Sequence, residues 1–355
     1  MNLDADDDIA GEGGGGADDS APLPIDLLPW QSAACDKLTA AVAARRLPHG
    51  LLLQGPAGVG KERFASALAA ALFCTGRGDR LEACGECAEC ALSRVGTHPD
   101  VHWVRLPLDE KTGKPKKAIG VDQVRDACEK LSMTSMRSGY RVAIIVQADR
   151  MTTPAQNALL KTLEEPGPQT LLVLVSARPS GLLATLRSRC QRVEIARPDH
   201  AVAQHWLGQT LGSPAPPRLL AVAGGSPLKA LALATHFADL EAQMTGLLEA
   251  FLDGRIDVTR AAADMQGEGL PARLDWLEAW LGEAIQAATG VPVENPLTFR
   301  TGSLLQRLPA ELNITEAFQV LDRLREARRL LDGSASAPLV VESLLLALRA
   351  AGKAR

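Results

Sequence analysis

The chain has 355 residues, of which 46% are hydrophobic and 23% are charged, and its formal net charge is −4. This length predicts two or three domains with sizeable cores, and no apolar run approaches the roughly 18–20 residues that a membrane span needs. No basic residue precedes an apolar stretch near the N-terminus, so we expect no secretory signal and a cytoplasmic protein.

Residues 1–22 differ in composition from the rest. They hold seven acidic side chains, no lysine or arginine, and a run of four glycines. Such a segment buries too little apolar area to offset the entropy of ordering it, which predicts a disordered tail. Without the tail the formal charge is +3. A balance this close to neutral argues against DNA binding through a broad basic surface of the chain's own.

Residues 23–197 alternate short apolar runs with helical patterns, which is typical of an α/β domain whose parallel sheet is covered on both faces. Residues 106–120, which include four lysines, are expected to form a loop. The strands are predicted at residues 51–54, 101–105, 141–146, 171–176 and 191–195.

Strand patterns stop near residue 198. Residues 198–236 combine helical patterns with prolines and a Gly-Gly pair, which predicts a small helical domain. Residues 237–355 carry apolar residues at helical spacing to the end of the chain, which predicts an all-α C-terminal domain.

A glycine-rich loop follows the first predicted strand. Residues 55–62 read GPAGVGKE, close to the phosphate-binding pattern G-x-x-x-x-G-K-[ST]. Its glycines Gly55, Gly58 and Gly60 and its Lys61 are present. Glu62, however, stands where a hydroxyl would hold Mg²⁺, and its carboxylate directs negative charge toward a polyphosphate. The alternative is that these residues form no nucleotide site at all.

An ATPase of this build also needs an acidic pair at the end of a neighbouring strand, to hold Mg²⁺ and to polarise the attacking water. The strand at 141–146 is the candidate, and the two positions are occupied by Val146 and Gln147. Valine binds no metal, and an amide is a poor base. A shifted alignment that uses Asp149 remains an alternative.

Four of the seven cysteines lie close together, in a C-x₉-C-x₂-C-x₂-C pattern. Four thiolates at this spacing can surround Zn²⁺ tetrahedrally and close the site, as structural zinc requires. The segment between them is short and polar, so a metal would supply its folding energy. Free thiols or a redox pair are the alternative. The predicted ligands are Cys74, Cys84, Cys87 and Cys90.

Two arginines, Arg187 and Arg189, follow a predicted short helix at residues 180–186 and precede the last strand. This order places Arg189 at a sheet edge near the surface. A guanidinium there can reach the γ-phosphate of a neighbouring subunit and stabilise its transition state. An arginine pair alone is more often simply solvated.

Six segments of the chain carry a family resemblance: HGLLL at 49–53, the cysteine insertion at 74–90, THPD at 97–100, VDQVR at 121–125, NALLKTLEEP at 157–166 and LLATLRSRC at 182–190. Together they resemble bacterial clamp-loader subunits of the AAA+ class, over residues 25–230. The resemblance implies an α/β AAA+ module with a parallel sheet flanked by helices, a small helical lid and an all-α C-terminal collar that joins subunits into a ring.

Within this family, some subunits keep the ATPase residues and others lose them but retain an arginine finger; Glu62, Val146 and Gln147 resemble the second kind. The resemblance implies that Arg189 is the finger, that Ser176 occupies a sensor position, and that Lys229 stands where motor subunits carry a sensor arginine. ATP and Mg²⁺ then belong to neighbouring subunits, and no intrinsic ATPase is expected.

The partners implied are the gamma/tau motor subunits and the delta subunit, with the sliding clamp and primer–template DNA reached through the complex and no membrane involved. Two further hypotheses stay open at this point: an ATP-hydrolysing motor-type subunit, and a stand-alone zinc-dependent DNA-binding module. The domains predicted are a tail at 1–22, the AAA+ domain at 23–197, the lid at 198–236 and the collar at 237–355.

Overall fold

The computed structural model describes residues 23–109, 111–137, 139–267, 269–289, 313–333 and 335–351, so the predicted tail at 1–22 lies outside the described residues. The described residues divide into two units. The first contains residues 23–206 together with Ser226–Ala232. The second contains Leu207–Gly225 and the described residues from 233 onward.

The first unit is built on a five-stranded sheet in the order β2-β3-β4-β1-β5. Every neighbouring pair of strands is parallel, and β1, β3 and β4 are almost wholly buried. This confirms the predicted α/β class and all five strand positions to within a residue or two. The strands are β1 Gly50–Gln54, β2 Val101–Val104, β3 Arg141–Ile145, β4 Thr170–Ser176 and β5 Gln191–Glu194.

Helices cover both faces of this sheet. Side chains alternate between faces along a strand, so Leu51 and Leu53 of β1 enter the core that includes Phe64, whereas Leu52 enters the core that includes Leu159. Burial on both faces explains why the strands are continuous apolar runs. The helices of this part are α1 Ser32–Ala43, α2 Lys61–Phe73, α3 Ala88–Val95, α4 Val121–Ser132, α5 Thr153–Glu164 and α6 Ala184–Arg189.

The helix predicted at residues 180–186 is wrong in position. Pro179–Gly181 form a 3₁₀ turn, and α6 begins only at Ala184. The reason is a tertiary contact: the Gln156 amide donates to the Gly181 carbonyl at 3.3 Å and accepts from the Leu183 backbone N–H at 2.7 Å. The turn is thereby fixed to α5, and Arg189 falls within the last turn of a helix instead of after it.

The lysine-containing segment at 106–120 is more regular than a plain loop. Leu108 and Pro115 form an antiparallel bridge, and the Asp109 N–H donates to the Lys114 carbonyl at 2.8 Å. Ile119 then pairs with Met151. The segment is therefore a small hairpin that returns to the sheet domain before α4.

After β5 the described chain is helical, as predicted. The second unit buries Trp276, Leu277, Trp280 and Leu281 of one helix. Within the described part of the chain, no helix has the length and apolarity to cross a membrane. The helices are α7 His200–Leu211, α8 Leu219–Val222, α9 Pro227–Leu233, α10 Phe237–Leu252, α11 Val258–Asp264, α12 Leu270–Ala288, α13 Ile314–Asp332 and α14 Ala337–Ala351.

Candidate functional site: a self-bonded phosphate loop, an arginine at the opposite sheet end and a four-cysteine cluster

The glycine-rich loop connects β1 to α2, the place that a phosphate-binding loop occupies. Gly60 precedes α2 with a left-handed φ of 80°. A Cβ at Gly60 would lie 2.5 Å from Leu28 Cδ1, and one at Gly55 would lie 2.1 Å from the Ile195 carbonyl oxygen. The glycines are therefore required by packing within this chain, whether or not a phosphate binds.

The polar groups of the loop bond to the protein itself. Lys61 is 1% exposed, and its Nζ donates to the Pro56 carbonyl at 2.7 Å. The Trp30 indole N–H donates to the Val59 carbonyl at 3.0 Å, and the Gln31 amide donates to the Gly60 carbonyl at 2.6 Å. These bonds hold the loop's backbone and its lysine in place.

Glu62, which replaces the magnesium-binding hydroxyl, forms an ion pair with Arg105. Arg105 follows directly after β2, and its guanidinium lies 4.9 Å from the centre of the Trp103 ring. Both charged side chains are largely shielded, at 14% exposure for Glu62 and 25% for Arg105. A protein cation therefore neutralises the carboxylate at the position where the motif would place a metal.

The tip of the loop contacts the segment that carries Lys229. The Leu228 backbone N–H donates to the Gly58 carbonyl at 3.2 Å. A Cβ at Gly58, whose φ is +72°, would lie 2.9 Å from the Cβ of Lys229. The glycine loop thus packs directly against the first turn of α9, and Lys229 lies beside it.

The positions of the missing acidic pair lie at the end of β3. Val146 is part of the hydrophobic core, and Gln147 has a left-handed backbone with φ of 51° that turns the chain into a short 3₁₀ helix. This turn brings Asp149 back to β4, where Ser176 Oγ donates to its carboxylate at 2.7 Å. Asp149 is therefore bonded to Ser176, the residue for which a sensor position was predicted.

Ser176 and Arg189 lie at opposite ends of the sheet. Ser176 pairs in register with Gln54, the last residue of β1, and so lies next to the start of the glycine loop. Arg189 lies just before β5, whose first residue, Gln191, pairs with Leu51 near the beginning of β1. With about 3.3 Å per residue, β1 separates Arg189 from the chain's own loop by about 16 Å.

Arg189 is 37% exposed and is held by two acceptors. Its Nη2 lies 2.7 Å from Glu164 Oε1 at the C-terminus of α5. Its Nη1 donates to the Thr185 carbonyl at 3.1 Å. Because β5 is the last strand in the sheet order, this guanidinium lies at an edge of the sheet.

The four predicted cysteine ligands come together between α2 and α3. Their sulfur atoms all lie within 4.8 Å of one another. Cys84 Sγ and Cys90 Sγ are 4.0 Å apart, and Cys87 Sγ and Cys74 Sγ are 3.9 Å apart. A tetrahedral zinc with bonds of about 2.3 Å places its sulfur ligands about 3.8 Å apart. The donor set therefore fits one metal ion of this kind.

Local hydrogen bonds favour thiolates at two of these cysteines. Backbone N–H groups of Glu86 and Cys87 lower the pKa of Cys84. Burial opposes ionisation of Cys87, but backbone N–H groups of Cys90 and Thr75 outweigh it and lower the pKa of Cys87 to about 5. At Cys74 and Cys90 burial raises the pKa instead, so the local environment favours the thiolate at two of the four sulfur atoms.

The cysteine segment is also tied to the sheet. Glu89, which lies between two of the cysteines, bonds to His98 Nε2 at 3.0 Å. Asp100, two residues further on, accepts the backbone N–H groups of Met136 and Arg137. The THPD segment thus anchors both the cysteine module and the loop before β3.

Sequence reasoning missed the residues that bond to the loop and to Arg189, namely Trp30, Gln31, Arg105 and Glu164. Only Arg105 had a signal: a charged residue at the end of a predicted apolar strand. The others are far from their partners in sequence, so no local pattern reports them.

The fold and this arrangement define an AAA+ module, with its glycine loop after β1, which lies between β4 and β5 in the sheet order, and with helices after the sheet. The family model described as DNA polymerase III, delta subunit, matches residues 30–199. DNA polymerase III subunit delta' of Pseudomonas aeruginosa is 38% identical over 259 residues, which cover 72% of this chain and 76% of that protein. The chain belongs to the delta' family of DNA polymerase III subunits.

A second relative gives the same result. DNA polymerase III subunit delta' of Escherichia coli is 36% identical over 266 residues, covering 74% of this chain and 77% of that protein. Among solved structures, a gamma subunit-related protein of DNA polymerase III from Thermotoga maritima is 18% identical with a TM-score of 0.45, over 90% of this chain and 100% of that chain. The family assignment rests on the sequence relatives alone.

Proposed function

We propose that this chain is a non-hydrolysing subunit of the DNA polymerase III clamp loader, which helps to load the sliding clamp onto primed DNA. In this role it supplies Arg189 to the ATP site of an adjacent motor subunit of the gamma/tau kind. It has no ATPase activity of its own and acts as a cytoplasmic component of the polymerase III holoenzyme, with the delta subunit as a further partner.

The observation that carries this proposal is the position of Arg189. It lies at the end of β1 opposite to the chain's own glycine loop, about 16 Å away by the length of the strand. A side chain at that distance cannot contact a phosphate bound in the same chain. At an exposed sheet edge it can contact one bound by a neighbour.

The bonding of the side chains in the chain's own glycine loop supports the same function. Lys61 bonds to Pro56, Glu62 pairs with Arg105, and Val146 offers no metal ligand. ATP and Mg²⁺ are therefore assigned to the neighbouring subunits. We also propose the lid at 198–236 and the ring-forming collar at 237–355 as the domains that follow the AAA+ domain at 23–197.

The test is reconstitution with motor subunits and measurement of DNA-stimulated ATP hydrolysis and clamp loading. Arg189→Ala should lower turnover at the site it faces by about 10³-fold, the usual size of an arginine-finger effect. Arg192→Ala is the matched control, because Arg192 is exposed on β5, the edge strand that follows Arg189, and its guanidinium bonds to none of the described residues. Unchanged activity of the Arg189→Ala complex would contradict the trans-acting role.

The motor-type alternative makes the opposite prediction for the isolated chain. It requires turnover of Mg·ATP without partners, abolished by Lys61→Ala. Our proposal expects no such turnover. Hydrolysis by the purified wild-type chain that disappears in this variant would replace the proposed function with an ATPase.

We also propose that the four cysteines hold one structural Zn²⁺. The fit of the sulfur positions to a tetrahedron supports it. Metal analysis of the purified protein should find about one zinc per chain, and Cys87→Ser should lower that content. A folded wild-type protein that contains no zinc would rule the assignment out.

A further inference from the structure

We propose that Glu164 is the positioning residue for Arg189, holding the guanidinium in place at the sheet edge before a neighbour's nucleotide arrives. This inference rests on the proposed function of Arg189. It adds a role for the first glutamate of the TLEEP segment, whose carboxylate lies 2.7 Å from Arg189 Nη2.

The end of α5 that carries Glu164 is fixed to the sheet at the point where Arg189 leaves it. His49 Nε2 is hydrogen-bonded to the carbonyl of Leu163 at 2.9 Å. A Cβ on Gly50 would lie 2.6 Å from Leu163 Cδ2 and 3.4 Å from the carbonyl oxygen of Arg189. The beginning of β1, the end of α5 and the end of α6 therefore meet in close contact. The backbone that carries Glu164 is thus held in a fixed position beside Arg189.

The two bonds leave Arg189 able to bind a phosphate. A guanidinium has five N–H donors, and the described contacts of Arg189 go to two acceptors, Glu164 and the Thr185 carbonyl. The remaining donors are available on a side chain that is still 37% exposed. Glu164 itself is 51% exposed, so the pair lies on the surface that an adjacent subunit would face.

The ion pair should reduce the conformational entropy that the Arg189 side chain loses when it binds a neighbour's phosphate. Arginine has a flexible stem, and a preformed ion pair at its tip reduces the number of conformations that must be excluded. Exposed ion pairs of this kind are weak, so removal of Glu164 should lower the rate about three- to fivefold. This is far less than removal of the finger itself.

The experiment uses the reconstituted clamp-loader complex in which only the ATP site facing this chain is left active. Glu164→Gln keeps the size of the side chain and removes its charge. Glu165→Gln is the matched control, since the carboxylate of the adjacent Glu165 bonds to no residue in the described ranges. The measured quantities are kcat and KM for ATP in DNA-stimulated hydrolysis, together with complex assembly and thermal unfolding.

We expect Glu164→Gln to lower kcat about three- to fivefold, with KM, assembly and thermal unfolding unchanged, because the finger acts mainly on the transition state. Glu165→Gln should match wild type. In an Arg189→Ala background, Glu164→Gln should cause no further loss, since the two residues act as one unit.

Two results would overturn the inference while leaving the proposed function in place. One is full activity of Glu164→Gln in a complex that Arg189→Ala inactivates. The other is an equal loss from Glu164→Gln in the presence and absence of Arg189, which would make Glu164 a general structural residue. Full activity of Arg189→Ala would instead overturn the proposed function, and the inference with it.

Discussion

The ion pair between Glu62 and Arg105 predicts how nucleotide binding can be changed in this protein. Glu62→Thr restores the hydroxyl of the phosphate-loop motif and removes the carboxylate that faces a bound polyphosphate. It also leaves Arg105, held after β2 against the Trp103 ring, without its ion-pair partner. The formal charge beside the loop therefore rises by one, in favour of an anionic ligand.

The size of the effect follows from the shielding of the pair. Unit charges about 4 Å apart interact by about 4 kcal/mol at an effective dielectric constant of 20. Glu62 and Arg105 are 14% and 25% exposed, so solvent screens part of this energy. We expect the affinity for Mg·ATP to rise about 10- to 100-fold, from a wild-type Kd weaker than about 1 mM. Hydrolysis should stay absent, because Val146 still provides no ligand for magnesium.

Isothermal titration of the isolated full chain with Mg·ATP measures this directly. Glu82→Thr is the control, because it removes a glutamate from an exposed Arg80–Glu82 pair in the same unit and so makes the same charge change away from the loop. Wild-type protein that binds Mg·ATP as tightly as Glu62→Thr would refute the reasoning. Equal gains from Glu62→Thr and Glu82→Thr would refute it as well.

Two further predictions concern the cysteine module and the second unit. Chelation of the metal should increase hydrogen exchange in residues 74–95 while the strands stay protected, since the module is small and packs mainly around its thiolates. Unchanged exchange in these residues would contradict a structural metal. In the second unit, burial raises the pKa of Glu283 from 4.5 to about 7 beside Arg218 and Glu241. The pKa of Glu283 is higher in the folded state than in the unfolded state, so protonated Glu283 contributes its full stabilisation below pH about 4.5. This contribution, about 3 kcal/mol of the free energy of unfolding, is lost as the pH rises through 7. The free energy of unfolding, measured by urea denaturation with hydrogen exchange in Leu270–Ala288 as the probe, should therefore be lower for wild type at pH 8 than at pH 5. Glu283→Gln should remove most of that difference. Identical pH profiles for the two proteins would contradict the prediction.

The strands of the sheet domain and the cysteine cluster were predictable because their signals are local. A strand buried on both faces is a continuous apolar run, and β1, β3 and β4 show this directly. Cysteines at two-residue spacing indicate a metal site in any fold that lets them converge. The missing hydroxyl at Glu62 and the missing acid at Val146 were likewise evident from motif positions.

The start of α6 was not predictable in the same way. Residues 180–186 have helical character, yet a turn at Pro179–Gly181 is held by Gln156 of α5, and the helix begins later. Local propensity could not report this contact, because the two residues that bond are 25 positions apart.

The sequence by itself determined which residues stand at the motif positions: Glu62 at the hydroxyl position, and Val146 and Gln147 after β3. Only the tertiary structure decided which groups surround these positions. Arg105 neutralises Glu62, Trp30 and Gln31 hold the loop's carbonyls, and Glu164 holds Arg189 at the far end of the sheet. The physical reason is that motif residues are neighbours along the chain, whereas their bonding partners come from other elements that only the packed sheet brings within hydrogen-bond distance.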